Sequence, residues 1–66
     1  MYEISERWLD ENVGKYLAVN EIDYAIRIVW SGGKTFTAVY SADLQDEEAL
    51  YLTLTYSDVV ATKLDK

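Results

Sequence analysis

Apolar residues recur at helical spacing in the first part of the chain. Four of them fall within one arc if successive residues are rotated by about 100°: Trp8, Leu9, Val13 and Tyr16. Four acidic residues fall on the opposite side: Glu3, Glu6, Asp10 and Glu11. The pattern predicts an amphipathic N-terminal helix that is capped at Ser5 and ends between residues 16 and 20.

The hydrophobic period changes to two from residue 22, as in a half-buried strand. The apolar positions are Ile22, Tyr24, Ile26, Ile28 and Trp30, and a turn at 31–34 leads into a returning strand at 35–42. A three-residue loop at 32–34 pairs Trp30 with Phe36, Ile28 with Ala38 and Ile26 with Tyr40. All the large groups then share one face, whereas a two-residue loop would separate them. We therefore predict a hairpin with the longer loop and a glycine at positive φ in a bulge.

The second half of the chain is less clearly patterned. After an acidic connection at 43–48, apolar residues alternate again at Leu50, Leu52, Leu54 and Tyr56, which predicts a third strand. Segment 57–66 fits either a short helical turn capped by Ser57 or an edge strand at 59–64, and we favour the turn. The predicted fold is α+β, a single domain over residues 1–66, with one N-terminal helix packed on a three-stranded antiparallel sheet.

One face of this predicted sheet would lack a covering layer. Val29, Val39 and Tyr51 would lie there among arginine and threonine side chains. An apolar patch of this kind is a candidate interface.

Composition removes most sources of chemistry. The chain has 66 residues, twelve acidic and six basic, with no histidine and no cysteine. Disulfides, thiolate metal sites, the commonest zinc ligand and the usual general base are therefore excluded. We expect a protein that is not an enzyme and that uses no metal and no cofactor.

The N-terminal residues do not resemble a secretory signal, and no apolar run approaches the ~20 residues of a membrane span. These features predict a soluble, intracellular protein. Its net charge of −6 disfavours direct contact with nucleic acid or with an anionic membrane.

The acids form two clusters. The first contains Glu3, Glu6, Asp10 and Glu11, and the second contains Asp43, Asp46, Glu47 and Glu48. Each cluster is either a solvated helix terminus or loop, or a contact surface for a basic partner. The second cluster lacks the alternating acids, central glycine and distal glutamate of an EF-hand calcium loop.

In size, acidity and lack of catalytic residues, the chain resembles the small phage-encoded inhibitors of host defence, which include anti-CRISPR proteins and DNA mimics. The two acidic clusters carry this resemblance, and no sequence motif does. It implies an inhibitor in the cytoplasm of a bacterial host. Its carboxylates would occupy the basic nucleic-acid groove of a DNA-binding protein or a CRISPR effector complex and block DNA recognition.

The alternative is a non-enzymatic protein–protein interaction module or subunit that binds through the open sheet face or an exposed strand edge. In that case Val29, Val39 and Tyr51 would matter more than the acids, and binding would persist in high salt. A homodimer through the same face is a third interpretation, so the sequence leaves both a monomer and a weak homodimer open.

Overall fold

A computed structural model describes residues 1–64 and has two helices and four strands in that part of the chain. In chain order these are β1 (Tyr2–Arg7), α1 (Asn12–Val19), β2 (Tyr24–Gly32), β3 (Thr35–Ala42), α2 (Asp46–Thr55) and β4 (Val60–Lys63). The strands form one antiparallel sheet in the order β2-β3-β1-β4. The predicted α+β class is confirmed, but the arrangement of elements differs from the prediction in three places.

The hairpin of β2 and β3 has the predicted register. Trp30 pairs with Phe36, Ile28 with Ala38 and Ile26 with Tyr40. The strand begins at Tyr24 rather than at residue 22, and an irregularity after Trp30 lets Gly32 pair with Thr35, so the loop has two residues instead of the predicted three. Gly32 and Gly33 have φ of 107° and 59°, a region that side chains rarely adopt. The indole N–H of Trp30 donates to the Gly33 carbonyl at 2.8 Å and closes the turn.

The predicted N-terminal helix is wrong in its first half. Residues 2–7 form β1, which lies between β3 and β4 and pairs with both. The helix begins only at Asn12, after a turn in which the Asp10 amide donates to the Arg7 carbonyl at 3.0 Å. Tyr2, Ile4 and Glu6 alternate as strand residues do, and pairing on two sides outweighs the local helical pattern.

The predicted third strand at 50–56 is also wrong, because this segment lies in helix α2. A capping box at its start joins Gln45 and Glu48, and acidic residues occupy its first turn. Ala49 and Leu52 are its buried residues and stand three apart, as one helix face requires. Leu50 and Leu54, which suggested the strand period, are exposed.

The C-terminal segment forms strand β4 after a turn at 57–58, so the favoured helical turn is wrong and the edge strand is correct. Residues 65–66 of that segment lie outside the described residues.

The core lies between the sheet and the two helices. Ile4 and Tyr40 are paired neighbours on one sheet face, where they pack with Val13 and Leu17 of α1 and Leu52 of α2. Helix α1 contacts β1, and helix α2 contacts β4. The helices therefore cover β3, β1 and β4, and β2 lies beyond them.

Candidate interaction surface

The most exposed element of the sheet is β2. All nine of its residues are exposed, and among residues 1–64 no strand pairs with its outer edge. An exposed edge strand presents backbone N–H and C=O groups that can pair with another chain. Long, apolar edges of this kind are usually shortened, charged or covered in soluble proteins, but β2 is long, apolar and uncovered.

Five large side chains form an apolar surface beside this edge, here named the β2 shelf. It consists of Tyr24 (43% exposed), Ile26 (51%), Ile28 (46%) and Trp30 (65%) of β2 and Phe36 (41%) of β3. All five are on the sheet face that the helices cover elsewhere. The sequence predicted this face correctly but predicted that the helix would bury it.

Aromatic contacts hold part of the shelf in place. The ring of Tyr24 meets the buried ring of Tyr40 edge-on, with centroids 5.5 Å apart. Phe36 meets Trp8 in the same manner at 6.1 Å. Edge-to-face pairs of this kind stabilise ring positions. The shelf is therefore a preformed surface, fixed at both ends by rings outside β2.

An open cleft of about 390 Å³ continues the shelf beyond Phe36. Trp8 and Phe36 supply its apolar wall, and Arg7 and Lys34 lie at its rim. Arg7 is already paired with Asp10 at 3.3 Å and with Asp58 at 3.7 Å. The cleft therefore extends the apolar surface and adds one cationic group, Lys34, that has no ion-pair partner among residues 1–64.

Charge separates the hairpin from the rest of the molecule. Residues 24–42 contain Arg27 and Lys34 and no acidic residue, so all twelve acids of the chain lie elsewhere. The Arg27 guanidinium lies 3.2 Å from the Glu3 carboxylate. Because β3 separates β2 from β1, this ion pair crosses β3 on the open face, beside Val39. The β2 edge is thus the least negative part of the surface.

The first predicted acidic cluster does not form one exposed face. Glu3 lies on the open face of β1, while Glu6 lies on the helix side and is only 1% exposed. The Glu6 carboxylate accepts hydrogen bonds from the backbone N–H groups of Asn12 and Val13. Asp10 pairs with Arg7, which leaves Glu11 as the exposed acid of this cluster with no ion pair or side-chain hydrogen bond among residues 1–64. The sequence missed this division because the helix was predicted to begin at Ser5, whereas this segment lies in β1.

The second predicted acidic cluster lies at the start of α2, and its members differ in their contacts. Asp46 accepts a hydrogen bond from the Tyr2 hydroxyl at 2.6 Å and pairs with Lys63 at 3.3 Å. The hydrogen bond from Tyr2 is the main reason that the pKa of Asp46 lies below its ordinary value. Glu48 accepts from the Gln45 amide in the capping box and from the Tyr16 hydroxyl.

The two remaining members of this cluster point into solvent. Asp43 is highly exposed and lies 3.6 Å from the N-terminal amine, and Glu47 is exposed without an ion pair or hydrogen bond among residues 1–64. The eight predicted partner-binding acids are therefore spread over three settings: the core, intramolecular pairs and open solvent.

The alternative interface predicted from Val29, Val39 and Tyr51 is not one patch. Val29 is 38% exposed on the open face, but Val39 on the same face is only 7% exposed. Tyr51 lies on α2, where its ring packs 5.6 Å from that of Tyr16. The prediction failed for Tyr51 because its segment is a helix, and for Val39 because β3 lies inside the sheet.

Comparison with known proteins gives no match to a protein family, to a curated protein or to a solved structure. Within residues 1–64, no helix is long and apolar enough to cross a membrane, and no three acidic side chains converge as metal ligands would.

Proposed function

We propose that the protein is a non-enzymatic interaction module that binds a protein partner through β2. The partner adds a strand to the free edge and covers the β2 shelf. One observation carries the proposal: all nine residues of β2 are exposed, although five large apolar side chains lie along it and beside it. Neither a catalytic step nor a cofactor is part of this function.

Strand addition suits this surface because the strand edge and the β2 shelf would make separate contributions to binding. Backbone hydrogen bonds along the edge supply affinity for an extended segment of any sequence. The shelf supplies specificity, since every second side chain of the added strand would project from the same sheet face and lie beside the shelf. Exposed aromatic side chains such as Trp30 are common among residues that dominate binding energy at interfaces.

A second candidate is the acidic inhibitor of the DNA-mimic type. The observation that favours it is the exposed group of carboxylates at the start of α2, above all Asp43 and Glu47. Such a surface would bind a basic groove of a DNA-binding protein or a CRISPR effector complex. Binding of that kind weakens with salt, because it depends on charges exposed to the solvent.

The test is capture of partners on the immobilised protein from a bacterial lysate, followed by washes of increasing salt and identification by mass spectrometry. The shelf variant is Ile28→Lys, which places a charge in the middle of the β2 shelf. Its matched control is Val29→Lys, which adds the same charge to the same strand on the open face. The acidic surface is tested separately by Glu47→Lys.

If β2 is the binding site, one set of proteins should be captured by the wild type, by Val29→Lys and by Glu47→Lys. That set should be lost with Ile28→Lys and should resist high salt, because apolar contacts are not screened. Proteins that Ile28→Lys still captures, but that are lost in high salt and with Glu47→Lys, would refute binding through the shelf and would support the acidic inhibitor. Circular dichroism of each variant shows that the fold is retained.

A further inference from the structure

We infer that the β2 edge binds a second copy of this chain, with the two β2 strands antiparallel around a two-fold axis at Ile28. The inference rests on the proposed function and names its partner. The assembled dimer would have one continuous sheet of twice the four strands seen in a single chain. Two-fold dimers of this kind use the same surface on both copies, so the surface must be complementary to itself.

The register around Ile28 uses the whole strand. Ile28 is the central residue of Tyr24–Gly32, so the strand extends four residues to each side of the axis, with the irregularity between Trp30 and Gly32 near each end of the interface. On the shelf side, Ile28 meets Ile28 of the second copy, and Ile26 meets Trp30. Pairs of an aromatic and a β-branched residue are among the favourable cross-strand neighbours. Tyr24 lies opposite Gly32, which has no side chain and leaves room for the ring.

Charge favours the same register. A two-fold axis at Arg27 would place two guanidinium groups directly opposite each other, which is destabilising. With the axis at Ile28, each Arg27 faces Val29 of the other copy and keeps its ion pair with Glu3 on the open face. No acidic residue lies within the paired strands, because residues 24–42 contain none.

The ends of the paired strands are complementary in charge. Asp23 immediately precedes β2 and Lys34 lies in the turn that follows it, so this register brings Asp23 of one copy near the 33–34 turn of the other. Neither Asp23 nor Lys34 has an ion-pair partner among residues 1–64. The two-fold axis makes this contact twice, once at each end of the interface.

The size of the chain and of the surface also fits a second copy. A chain of 66 residues without a cysteine has a small core, and oligomerisation is one of the few ways to enlarge it. The four shelf residues of β2 are between 43% and 65% exposed. Two of the four are aromatic rings, which bury roughly 150–250 Å² each when fully covered. Across paired strands these side chains would meet along their flanks, so the interface would bury less than the ~800 Å² per partner of a standard interface, as expected for a dimer of modest affinity.

The first experiment is sedimentation equilibrium of the purified full chain over roughly a hundredfold range of concentration, since dimer formation depends on concentration. The wild type should rise from the mass of one 7.6 kDa chain toward twice that mass. Ile28→Lys places two charges at the axis and should raise the dissociation constant at least tenfold. Leu50→Lys adds the same charge at an exposed position on α2, away from β2, and should leave the dissociation constant unchanged.

A second experiment tests the register, and the absence of cysteine makes it simple. In Ile28→Cys, two thiols meet at the axis, where the Cα atoms of opposed residues lie about 4.5–5.5 Å apart. This separation lies within the range that a disulfide spans. Mild oxidation should cross-link this variant rapidly. Leu50→Cys, at a position on α2 that is more exposed than Ile28, should not cross-link at the same concentration.

A wild type that stays monomeric throughout, or a dimer that Ile28→Lys does not weaken, would overturn the inference. Cross-linking of Ile28→Cys no faster than that of Leu50→Cys would also overturn it. If the chain is monomeric but other proteins are captured through β2 and lost with Ile28→Lys, the interaction module stands and only the second copy is excluded. If neither dimer nor β2-dependent capture is found, both proposals fail.

Discussion

Both carboxylate oxygens of Glu6 accept hydrogen bonds from the backbone N–H of Val13, at 3.2 and 3.1 Å. The same carboxylate also accepts from the Asn12 N–H at 3.0 Å. Helix α1 has no side-chain cap of its own, because Glu11 at its N-cap position is left-handed with φ of 57°. A buried acid on β1 therefore takes the role of the cap and joins the central strand to the helix.

Removing this carboxylate should destabilise the fold. In Glu6→Ala the two N–H groups lose their acceptor in a buried site, and we expect the free energy of unfolding to fall by about 2–3 kcal/mol. Glu6→Gln keeps one acceptor oxygen and should lose less. Urea unfolding measures both changes, with Glu47→Gln as the exposed control expected within about 0.5 kcal/mol of wild type. Equal stability of Glu6→Ala and Glu47→Gln would show that the cap contributes nothing.

Gly14 and Tyr40 should be energetically coupled. A Cβ atom at position 14 would lie 3.0 Å from the Tyr40 hydroxyl and 3.6 Å from the ring carbons. Gly14→Ala in the wild type should therefore gain little, because close contact offsets the gain in helix propensity of about 1 kcal/mol. In a Tyr40→Phe background the same substitution should stabilise by nearly that amount. The four stabilities form a double-mutant cycle, and a coupling energy near zero would contradict the close approach.

Stability should fall in alkali because of Tyr40. Burial of its ring, and next the nearby negative charge of Glu6, raise the pKa of Tyr40 from 10.0 to about 12. The folded state thus holds this proton more tightly than the unfolded state does. The resulting stabilisation is complete below pH 10 and is lost as the pH rises toward about 12. Unfolding of Tyr40→Phe should depend less on pH across this interval, and an identical profile would contradict the assignment.

Asp46 should also stabilise the fold, by a smaller amount, and this stabilisation should be lost in acid rather than in alkali. Its pKa is lowered by the hydrogen bond from Tyr2 and by Lys63, so the folded state binds this proton less tightly than the unfolded state. The stabilisation is present above the ordinary value of 3.8 and is lost as the pH falls below it. Because the carboxylate is exposed, we expect a small effect. Thermal unfolding of Asp46→Asn between pH 2.5 and 6, roughly, should show a shallower acid limb than the wild type.

Prediction from the sequence succeeded where paired residues are close together along the chain and failed where they are far apart. The three predicted pairs of the hairpin were correct, because Trp30 and Phe36 are joined by the turn that sets their register. Strand β1 was missed because Ile4 pairs with Tyr40 and Ala61, which are remote in sequence. In α2 the alternation of leucines suggested a strand, and the capping box of Gln45 and Glu48 was not recognised in the sequence.

The candidate site was predicted in part for a related reason. The sequence placed Tyr24, Ile26, Ile28 and Trp30 on one face, and the structure agrees. Whether a helix covers that face depends on where the helix crosses the sheet. The hydrophobic period alone does not specify where a helix crosses the sheet, and α1 lies over β1 rather than over β2. The absence of acids from residues 24–42 was visible in the sequence and marked the same surface.

The two borders of the sheet are unequal: β2 has nine residues, whereas β4 at the other border has only four. A molecule with two long, unpaired edge strands could add copies indefinitely and grow into a fibre. In the inferred dimer, joining two molecules through β2 would occupy the long edge of each and leave only the four-residue edge outside. This asymmetry would limit association to a closed pair and would disfavour continued polymerisation.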